Sequence, residues 1–408
     1  MVFKRPFPFV CLLLLLFLAL GLIPACGGGA SSAISGGSGG GGGNSGGGGG
    51  GGPISATTHF VFTASGGAVR GYRIDPSTGL ASFASEVGIT VDQGSPLYLA
   101  TDPAGKFLFV SLFEQTDRST TGKNQLLVYT IDHGTGNLTP MGSPVPGLAY
   151  SPAVSPDGKF LYTGGTLTTA PGGLIVNVYS IGQDGSLTPI SGSPFATGLD
   201  VNQGSRPMFL ALNGTGTGLF IAFFQQVAAF QVDPNSGAPT PAPGSPFATP
   251  VTFLASIAID PAGKFLYAGS QSLPSPNLLG FTVNSDKSIS PIPGSPFDGG
   301  PTESSIAIVP SGKFLYDATA PASIGREVRG FSVDRTTGAL ATVSGSPFST
   351  NQDWVFPITI DASGRFLYAA GSNGLETFQI DSNTGSLTQL DIASPGSSLE
   401  TAAVVVNF

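Results

Sequence analysis

The sequence predicts an all-β fold, a seven-bladed β-propeller built from four-stranded antiparallel blades. Three observations predict it: a unit of about 50 residues that recurs along the chain, turn residues at fixed places in each unit, and chain ends that complete one another. A unit of that length matches one four-stranded propeller blade, and seven such units can close into a single ring.

The repeat is marked by a segment that reads Gly-Lys-Phe-Leu-Tyr or a close variant, which we assign to the second strand of each blade. The clear copies lie at 105–109, 158–162, 263–267, 312–316 and 364–368. A degenerate copy lies at 216–220, and a further copy without its turn lies at 60–62. Successive copies are 47 to 58 residues apart, so the chain contains seven units.

The other three strands of a blade have distinct patterns. Apolar runs precede the turns, as expected of an innermost strand buried on both faces, at 97–100, 208–211, 257–259, 306–308 and 358–360. The strand after the marker alternates, as in 127–131 and 328–333, which is typical of a strand packed on one side. The fourth strand is short and contains proline, as in 187–189, so it belongs at the outer edge of the blade.

Turn residues mark the joints between these strands. Asp-Pro-Ala-Gly at 102–105 and 260–263 is typical of a type I turn, and it precedes the second strand. Asp-Pro-Ser-Thr-Gly at 75–79 closes the next hairpin in the same way. Gly-Ser-Pro-Phe follows the outer strand at 192–195, 244–247, 294–297 and 345–348. We expect the phenylalanine of this segment to fill the space between neighbouring blades.

The two ends of the repeat region predict how the ring closes. The chain enters the repeat at a second strand, 60–63, and finishes at a first strand, 402–406. The C-terminal strand is therefore expected to join three N-terminal strands in one blade. Closure of this kind removes the exposed strand edges that would otherwise template aggregation.

The N-terminal region predicts export and tethering rather than a folded domain. Residues 1–25 have a basic start, an apolar run and a small residue before Cys26, and together they resemble a bacterial lipoprotein signal peptide. Cys26 is the expected lipidation site, the alternative being plain secretion with Cys26 as a free thiol. Residues 26–58 would form a flexible Gly/Ser-rich tether, and residues 59–408 the propeller. The chain is thus expected outside the cytoplasm, held at the lipid bilayer of the outer membrane or cell surface by acylated Cys26.

Composition and charge limit the partners. Charged residues make up 10% of the chain, compared with about 25% in ordinary soluble domains. The net charge of −8 becomes −10 once Lys4 and Arg5 leave with the signal peptide. Nucleic acid requires a basic face, so it is excluded as a partner. The sequence contains no His/Cys cluster, calcium loop or nucleotide loop, so no metal and no cofactor are expected.

The Asp-Pro-x-Gly-Lys-Phe-Leu-Tyr signature, together with Gly-Ser-Leu-Thr hairpins, resembles the lactonase-type seven-bladed propellers over nearly all of residues 59–408. That family includes bacterial 6-phosphogluconolactonase and overlaps the YVTN-repeat propellers. The resemblance implies a site at one mouth of the central channel, built from Arg, Glu and His side chains on two sets of loops. One set enters the inner strands and the other joins second to third strands. Where the family often has Arg-His, this chain has Arg206 without a histidine.

Candidate site residues follow from this placement. Arg206 and Glu303 are the candidate catalytic residues, because each enters an inner strand and is expected to point at the channel, where a base and a cation would serve lactone opening. The candidate binding residues lie on the same face and are Asp353, Trp354, Arg326, Glu327 and Glu114. Trp354, the single tryptophan, is either a stacking platform or part of the core.

Three functions remain open from the sequence. The first is a binding module displayed on the cell envelope, which engages protein or carbohydrate through the mouth loops. The second is a hydrolase of the 6-phosphogluconolactonase type that acts on an extracytoplasmic lactone, and the third is a structural envelope lipoprotein. We favour binding over hydrolysis, because the family's catalytic pattern is incomplete here. An Arg206–Glu303 pair converging at the channel mouth would favour the enzyme, which would then be a carboxylic-ester or lactone hydrolase.

Overall fold

A computed structural model of the chain describes residues 59–407 except 66, 90–94, 114–123, 148, 168–172, 200–207, 273–274, 301–302, 320–325, 353–354 and 395–399. Every described residue lies within the compact unit Ser55–Phe408. The signal peptide, lipidated Cys26 and tether lie outside the described residues, so all three stay predictions.

The described residues form 31 β-strands. The first seven are β1 (His59–Ser65), β2 (Ala68–Ile74), β3 (Ala81–Gly88), β4 (Ser95–Thr101), β5 (Phe107–Phe113), β6 (Gln125–Ile131) and β7 (Leu138–Pro146). The next fourteen are β8 (Tyr150–Val154), β9 (Phe160–Leu167), β10 (Gly173–Ile181), β11 (Leu187–Pro189), β12 (Phe195–Ala196), β13 (Phe209–Leu212), β14 (Gly218–Phe223), β15 (Gln226–Val232), β16 (Pro239–Pro241), β17 (Phe247–Ala248), β18 (Leu254–Ile259), β19 (Phe265–Ser270), β20 (Leu278–Val283) and β21 (Ile289–Pro291). The last ten are β22 (Glu303–Ile308), β23 (Phe314–Thr319), β24 (Glu327–Val333), β25 (Leu340–Thr342), β26 (Phe348–Ser349), β27 (Val355–Ile360), β28 (Phe366–Gly371), β29 (Gly374–Ile380), β30 (Leu387–Ala393) and β31 (Glu400–Asn407).

These strands form seven antiparallel sheets arranged in a ring, which confirms the predicted fold class. Each sheet is one blade, and six of the seven contain four successive strands, as in the order β4-β5-β6-β7. In three blades a two-residue strand, β12, β17 or β26, also pairs with the third strand. The inner strands contact one another in the cyclic order β4, β8, β13, β18, β22, β27 and β31, and β31 contacts β4 again. We number the blades 1 to 7 from the one that contains β1.

Blade 1 closes the ring in the way that the chain ends predict. Its strand order is β3-β2-β1-β31, so three strands come from the start of the propeller and one from its end. The pairing of β1 with β31 runs from His59 opposite Asn407 to Ser65 opposite Glu400. Closure therefore depends on the last strand of the chain.

The phenylalanine of the marker segment is held by a glycine from the next blade. Phe160 of blade 3 lies against Gly237 of blade 4, where an added Cβ would come within 2.6 Å of the ring. Gly237 also has a φ of +74°, a conformation that residues with a side chain disfavour. Both the space and the backbone conformation therefore require glycine here. Among the described residues the same pairing occurs at six blade boundaries: Phe60–Gly136, Phe107–Gly185, Phe160–Gly237, Phe265–Gly338, Phe314–Gly385 and Phe366–Gly79.

The boundary between blades 4 and 5 reverses this pairing. The degenerate marker of blade 4 has Gly218 where the others have phenylalanine, and the hairpin of blade 5 has Lys287 where the others have glycine. An added Cβ at Gly218 would lie 3.2 Å from Cδ of Lys287, so the lysine stem lies against the place that a ring would take. Lys287 retains the positive φ, at +66°.

The Gly-Ser-Pro-Phe segments end the short outer strands of blades 3 to 6. In each, the serine hydroxyl accepts a hydrogen bond from a third-strand amide: Ser193 from Val178 (3.0 Å), Ser245 from Ala229 (2.9 Å), Ser295 from Gly280 (2.9 Å) and Ser346 from Gly330 (3.0 Å). The serine thus replaces a strand carbonyl where the ladder stops. The phenylalanine packs into the core between its own blade and the next, as predicted; an example is Phe348, which joins the cluster shared by blades 6 and 7.

Within residues 59–407, apart from the gaps given above, no helix has the length and hydropathy needed to span a bilayer.

Candidate functional site

One face of the ring carries both sets of loops that the sequence assigns to function. Strand direction places the loops entering the inner strands and the loops joining second to third strands on this side, which we call the mouth face. Six inner strands have a register shift close to their mouth end, at Pro96/Tyr98, Tyr150/Ala153, Leu254/Ser256, Glu303/Ser305, Val355/Ile358 and Glu400/Ala402. Such bulges re-aim side chains and recur beside functional sites.

The predicted site residues fall into two groups. Arg206, Glu114, Asp353 and Trp354 lie outside the described residues, so their roles stay predictions. Glu303 is the first residue of β22, which places it at the mouth end of an inner strand as expected. The convergence of Arg206 with Glu303 is therefore untested.

Arg326 and Glu327 lie at the mouth end of the third strand of blade 6. Glu327 begins β24 and forms an ion pair with Arg329, whose Nη2 and Nε lie 2.8 Å and 2.9 Å from Oε1. Arg326 is exposed, and its carbonyl oxygen accepts a hydrogen bond from the Thr350 amide (2.9 Å) in the loop that leads to blade 7. The structure thus ties this pair to the loop that enters the next inner strand.

A polar cluster surrounds Arg329 at the boundary with blade 5. Asp298, in the loop entering blade 6, accepts hydrogen bonds from the Ser275 hydroxyl and the Gly300 amide. The Ser275 hydroxyl, the Gly300 amide and the nearby Arg329 charge together keep the pKa of Asp298 below its usual range. Asp317, fully buried in β23, lies directly opposite Arg329 in the strand pairing. This boundary therefore holds one arginine among three carboxylates.

Glu376, in the third strand of blade 7, is an acid whose pKa departs strongly from its ordinary value. It is fully buried, and it lies on the same face of β29 as Phe378, which packs against Val328 of blade 6. Its two carboxylate oxygens accept hydrogen bonds from the Asn351 amide, at 3.2 and 3.3 Å. Burial raises the pKa of Glu376 to about 7, while the bond from Asn351 opposes that rise.

The loop over Glu376 is held in place by a short network. The side chain of Gln352 is fully buried, donates to the Gly374 carbonyl (3.4 Å) and accepts from the Asn373 amide (2.7 Å). The Asn373 side chain in turn donates to the Asn351 carbonyl. The next two residues of this loop are the predicted binding residues Asp353 and Trp354.

Sequence reasoning missed Glu376, although the repeat contains a signal for it. Aligned on the third-strand aromatic, the position two residues earlier is Arg70, Leu127, Asn177, Ala228, Leu279, Arg329 and Glu376 in blades 1 to 7. Ionisable residues thus occupy this inward-facing place only in blades 6, 7 and 1, which are neighbours in the ring. Arg70 is paired there with Glu86, Nε to Oε2 2.6 Å. Three of the other four blades have an apolar residue at this position, so a charge there indicates a site rather than scaffold.

The chemistry of this region is that of acids, cations and amides. A carboxyl whose pKa lies near 7 can take a proton at neutral pH, and a guanidinium group can stabilise a developing oxyanion. In the part of the chain that the structure describes, no three His, Cys, Asp or Glu side chains come close enough together to hold a metal ion.

The fold is that of a seven-bladed β-propeller, and part of the chain is similar to the lactonase family. The family model for the seven-bladed β-propeller lactonases matches residues 280–399, which include the cluster around Arg329 and Glu376. The resemblance predicted from the repeats is therefore confirmed. No curated protein sequence matches the chain.

Solved structures show the same fold. A candidate 6-phosphogluconolactonase from Bacteroides uniformis superposes with a TM-score of 0.68 at 18% identity, covering 86% of this chain and 100% of its own. The periplasmic gluconolactonase of Pseudomonas aeruginosa superposes with a TM-score of 0.67 at 19% identity, covering 86% of this chain and 99% of its own. A candidate 6-phosphogluconolactonase from Bacteroides fragilis has a TM-score of 0.65 at 18% identity, with coverages of 86% and 98%. At these identities the likeness is one of fold.

Proposed function

We propose that the chain is a lactone hydrolase of the cell envelope and that Glu376 is its general base. The observation that carries this proposal is a fully buried carboxyl with a pKa of about 7 at the mouth-face end of blade 7. The lactonase-type fold and the gluconolactonase among the similar structures support the same reaction class.

The reaction divides into steps that these groups fit. Water attacks the lactone carbonyl carbon while Glu376 takes the proton from that water. The bond between the carbonyl carbon and the ring oxygen then breaks, and the proton passes to the ring oxygen, which leaves a hydroxy acid. A base with a pKa near the working pH is efficient in this role, because it is ionised yet still basic.

Arg326 is the candidate cation for the carbonyl oxygen. Arg326 is exposed at the mouth end of blade 6, and its backbone is joined through Thr350 to the loop that contacts Glu376. If the alternation of β24 continues outward, Arg326 shares a face with Val328, which packs toward blade 7. We assign Arg326 to stabilising the oxyanion, where a charged donor serves best.

Binding without turnover is the second candidate function, and one observation favours it. Glu376 is completely covered, with Asn351 donating to its carboxylate, so the loop at 350–352 must move before water and substrate reach it. Loops of this kind open and close in many enzymes, so the covered state is compatible with a gate. Turnover decides between the two functions.

We further propose that the protein works outside the cytoplasm. The signal peptide and Cys26 predicted from the sequence support this location, and one of the similar structures is that of a periplasmic enzyme. Lactones that reach such a site come from outside the cytoplasm and need carry no phosphate.

The test is hydrolysis of a lactone panel by the full-length chain, isolated from the membrane fraction of producing cells. We expect turnover of a neutral sugar lactone above the spontaneous rate, with kcat rising as pH rises through about 7, because the base must be ionised. E376Q should lower kcat at least 100-fold with little change in KM, since it keeps the shape but accepts no proton.

The matched control is D391N, which neutralises an exposed acid on the outermost strand of the same blade and should retain kcat within about twofold. Wild-type chain without turnover, or E376Q with wild-type kcat, would refute the hydrolase. A chain confined to the soluble cytoplasmic fraction would refute the location.

A further inference from the structure

Two phenylalanines form an aromatic corner on the mouth face between blades 4 and 5. Phe224 lies in the loop joining the second and third strands of blade 4, and Phe253 in the loop entering blade 5. Their ring centroids are 4.9 Å apart and their planes meet at 82°, so the two rings pack edge to face. Both side chains are half-buried, which leaves part of the corner open to solvent.

The backbone at both phenylalanines adopts a conformation that bulky residues rarely take. The φ angles are +47° at Phe224 and +57° at Phe253, in the left-handed region that favours glycine. Among the described residues only two other non-glycine residues, Ser151 and Lys287, have positive φ. Strain kept at two adjoining aromatic residues points to a role that glycine could not fill.

Backbone hydrogen bonds fix the position of both phenylalanines. The Phe224 carbonyl accepts from the Leu254 amide (2.8 Å), a bridge that joins blade 4 directly to blade 5. The Phe253 carbonyl accepts from the Gln271 amide (3.0 Å). The corner is thus preorganised, because its two backbones are tied to each other and to the next strand.

The segments of chain that form the corner are uncharged. The segments 223–226, 249–254 and 270–272 contain no charged residue. They provide hydroxyls and amides instead, including Thr252 and Ser272, whose hydroxyls lie 2.7 Å apart. A ligand with an apolar face and several uncharged hydroxyls matches this surface, whereas a phosphate or carboxylate finds no cation in these segments.

We propose that the Phe224–Phe253 corner binds a neutral pyranose ring through its C–H face. The C–H groups of a pyranose are slightly positive and pack on the negative face of an aromatic ring, while its hydroxyls bond to neutral side chains. This inference goes beyond the proposed function, because the corner lies at the boundary of blades 4 and 5, whereas Glu376 lies at the boundary of blades 6 and 7.

The test measures binding rather than turnover. Full-length chain is titrated with methyl β-D-glucopyranoside, cellobiose and glucose 6-phosphate, by calorimetry and by saturation-transfer NMR. We expect a neutral sugar to bind, with saturation transferred to ring C–H protons, and glucose 6-phosphate to bind at least tenfold more weakly. F253L, which keeps apolar volume but removes the flat face, should weaken neutral-sugar binding at least tenfold, and F224L likewise.

F253W retains an aromatic face and should bind within about threefold of wild type; it keeps the test valid if a leucine variant does not fold. Wild-type chain that binds no neutral sugar, a folded F253L with unchanged affinity, or tighter binding of the phosphate would each overturn the proposal. Lactone turnover without neutral-sugar binding would overturn only this inference. The wild-type chain could also bind a neutral sugar, lose that binding in F253L and turn over no lactone. That result would support the inference and refute the hydrolase.

Discussion

At the scale of single residues, the position within the repeat decides what a side chain can do. The inward-facing place on the third strand holds leucine or alanine in blades 2, 4 and 5, where it is core. The same place holds Glu376 in blade 7, where burial without a countercharge among its hydrogen-bond partners raises the pKa to about 7. The fold carries this acid at a cost in stability, which is the usual sign of a group kept for function.

The cost of Glu376 predicts a pH dependence of stability. Its native pKa of about 7 lies above the ordinary value of 4.5, so the native state binds more protons than the unfolded state between those two values. Stability should therefore fall as pH rises from 4.5 to 7 and level off above. E376Q removes this term and should be more stable than wild type at pH 8, by at most about 3 kcal/mol.

Urea unfolding of both chains from pH 4.5 to 8 measures this difference. The two curves should meet near pH 4.5 and separate as pH rises. Curves that stay parallel over the whole range would mean that Glu376 titrates normally in the native state.

At the scale of elements, each blade boundary is locked by a pair of complementary residues. A ring from one marker strand lies against a glycine in the next blade's hairpin at six boundaries among the described residues. Gly218 and Lys287 exchange these roles at the boundary of blades 4 and 5. A phenylalanine at position 218 is therefore incompatible with Lys287, because the ring and the lysine stem would compete for one space.

The exchange predicts strong coupling between the two positions. G218F alone should destabilise the fold, since its Cβ would already lie 3.2 Å from the Lys287 stem. K287G relieves the positive φ of +66° and empties that space. The double variant G218F/K287G should therefore be more stable than the sum of the single effects by about 1–2 kcal/mol, because the new ring is buried against glycine.

A double-mutant cycle by urea unfolding gives this coupling energy. Additive effects of the two changes would show that the boundary does not use the same pairing. The Phe160–Gly237 boundary supplies the comparison, because G237K there should destabilise through the same clash with the ring.

At the scale of the whole molecule, ring closure is the decisive feature. The last strand β31 completes blade 1 and also contacts the inner strands β27 and β4 on either side. Its residue Val406 is buried in the core between blades 1 and 2. A propeller that lacks this strand would present the open edge of β1 and an uncovered core.

Truncation after residue 399 should therefore open the ring. We expect soluble oligomers or aggregates and a loss of the cooperative thermal transition, measured by light scattering and calorimetry. V406D should have a milder effect of the same kind, because it places a charge in the core without deleting the strand. A monomeric truncated chain with the wild-type Tm would show that closure does not depend on β31.

The sequence by itself determined the architecture of this protein. The marker segments and turn residues predict seven blades and their strand order. The strands at which the repeat region begins and ends predict the blade that closes the ring. All of these predictions are confirmed. These features are predictable because every repeat needs the same turn residues, the same alternation of apolar and polar residues, and the same kind of edge strand. Repetition makes such residues visible in a single sequence.

Only the tertiary structure revealed the candidate base, because its properties depend on residues far away in sequence. Nothing around Glu376 in the sequence indicates that blade 6 and the loop at 350–352 cover it, and burial is what raises its pKa. The corner of Phe224 and Phe253 likewise forms from two blades and from backbone angles that sequence patterns do not reveal. Scaffold residues act through local chemistry that repeats, whereas site residues act through contacts between blades that occur once.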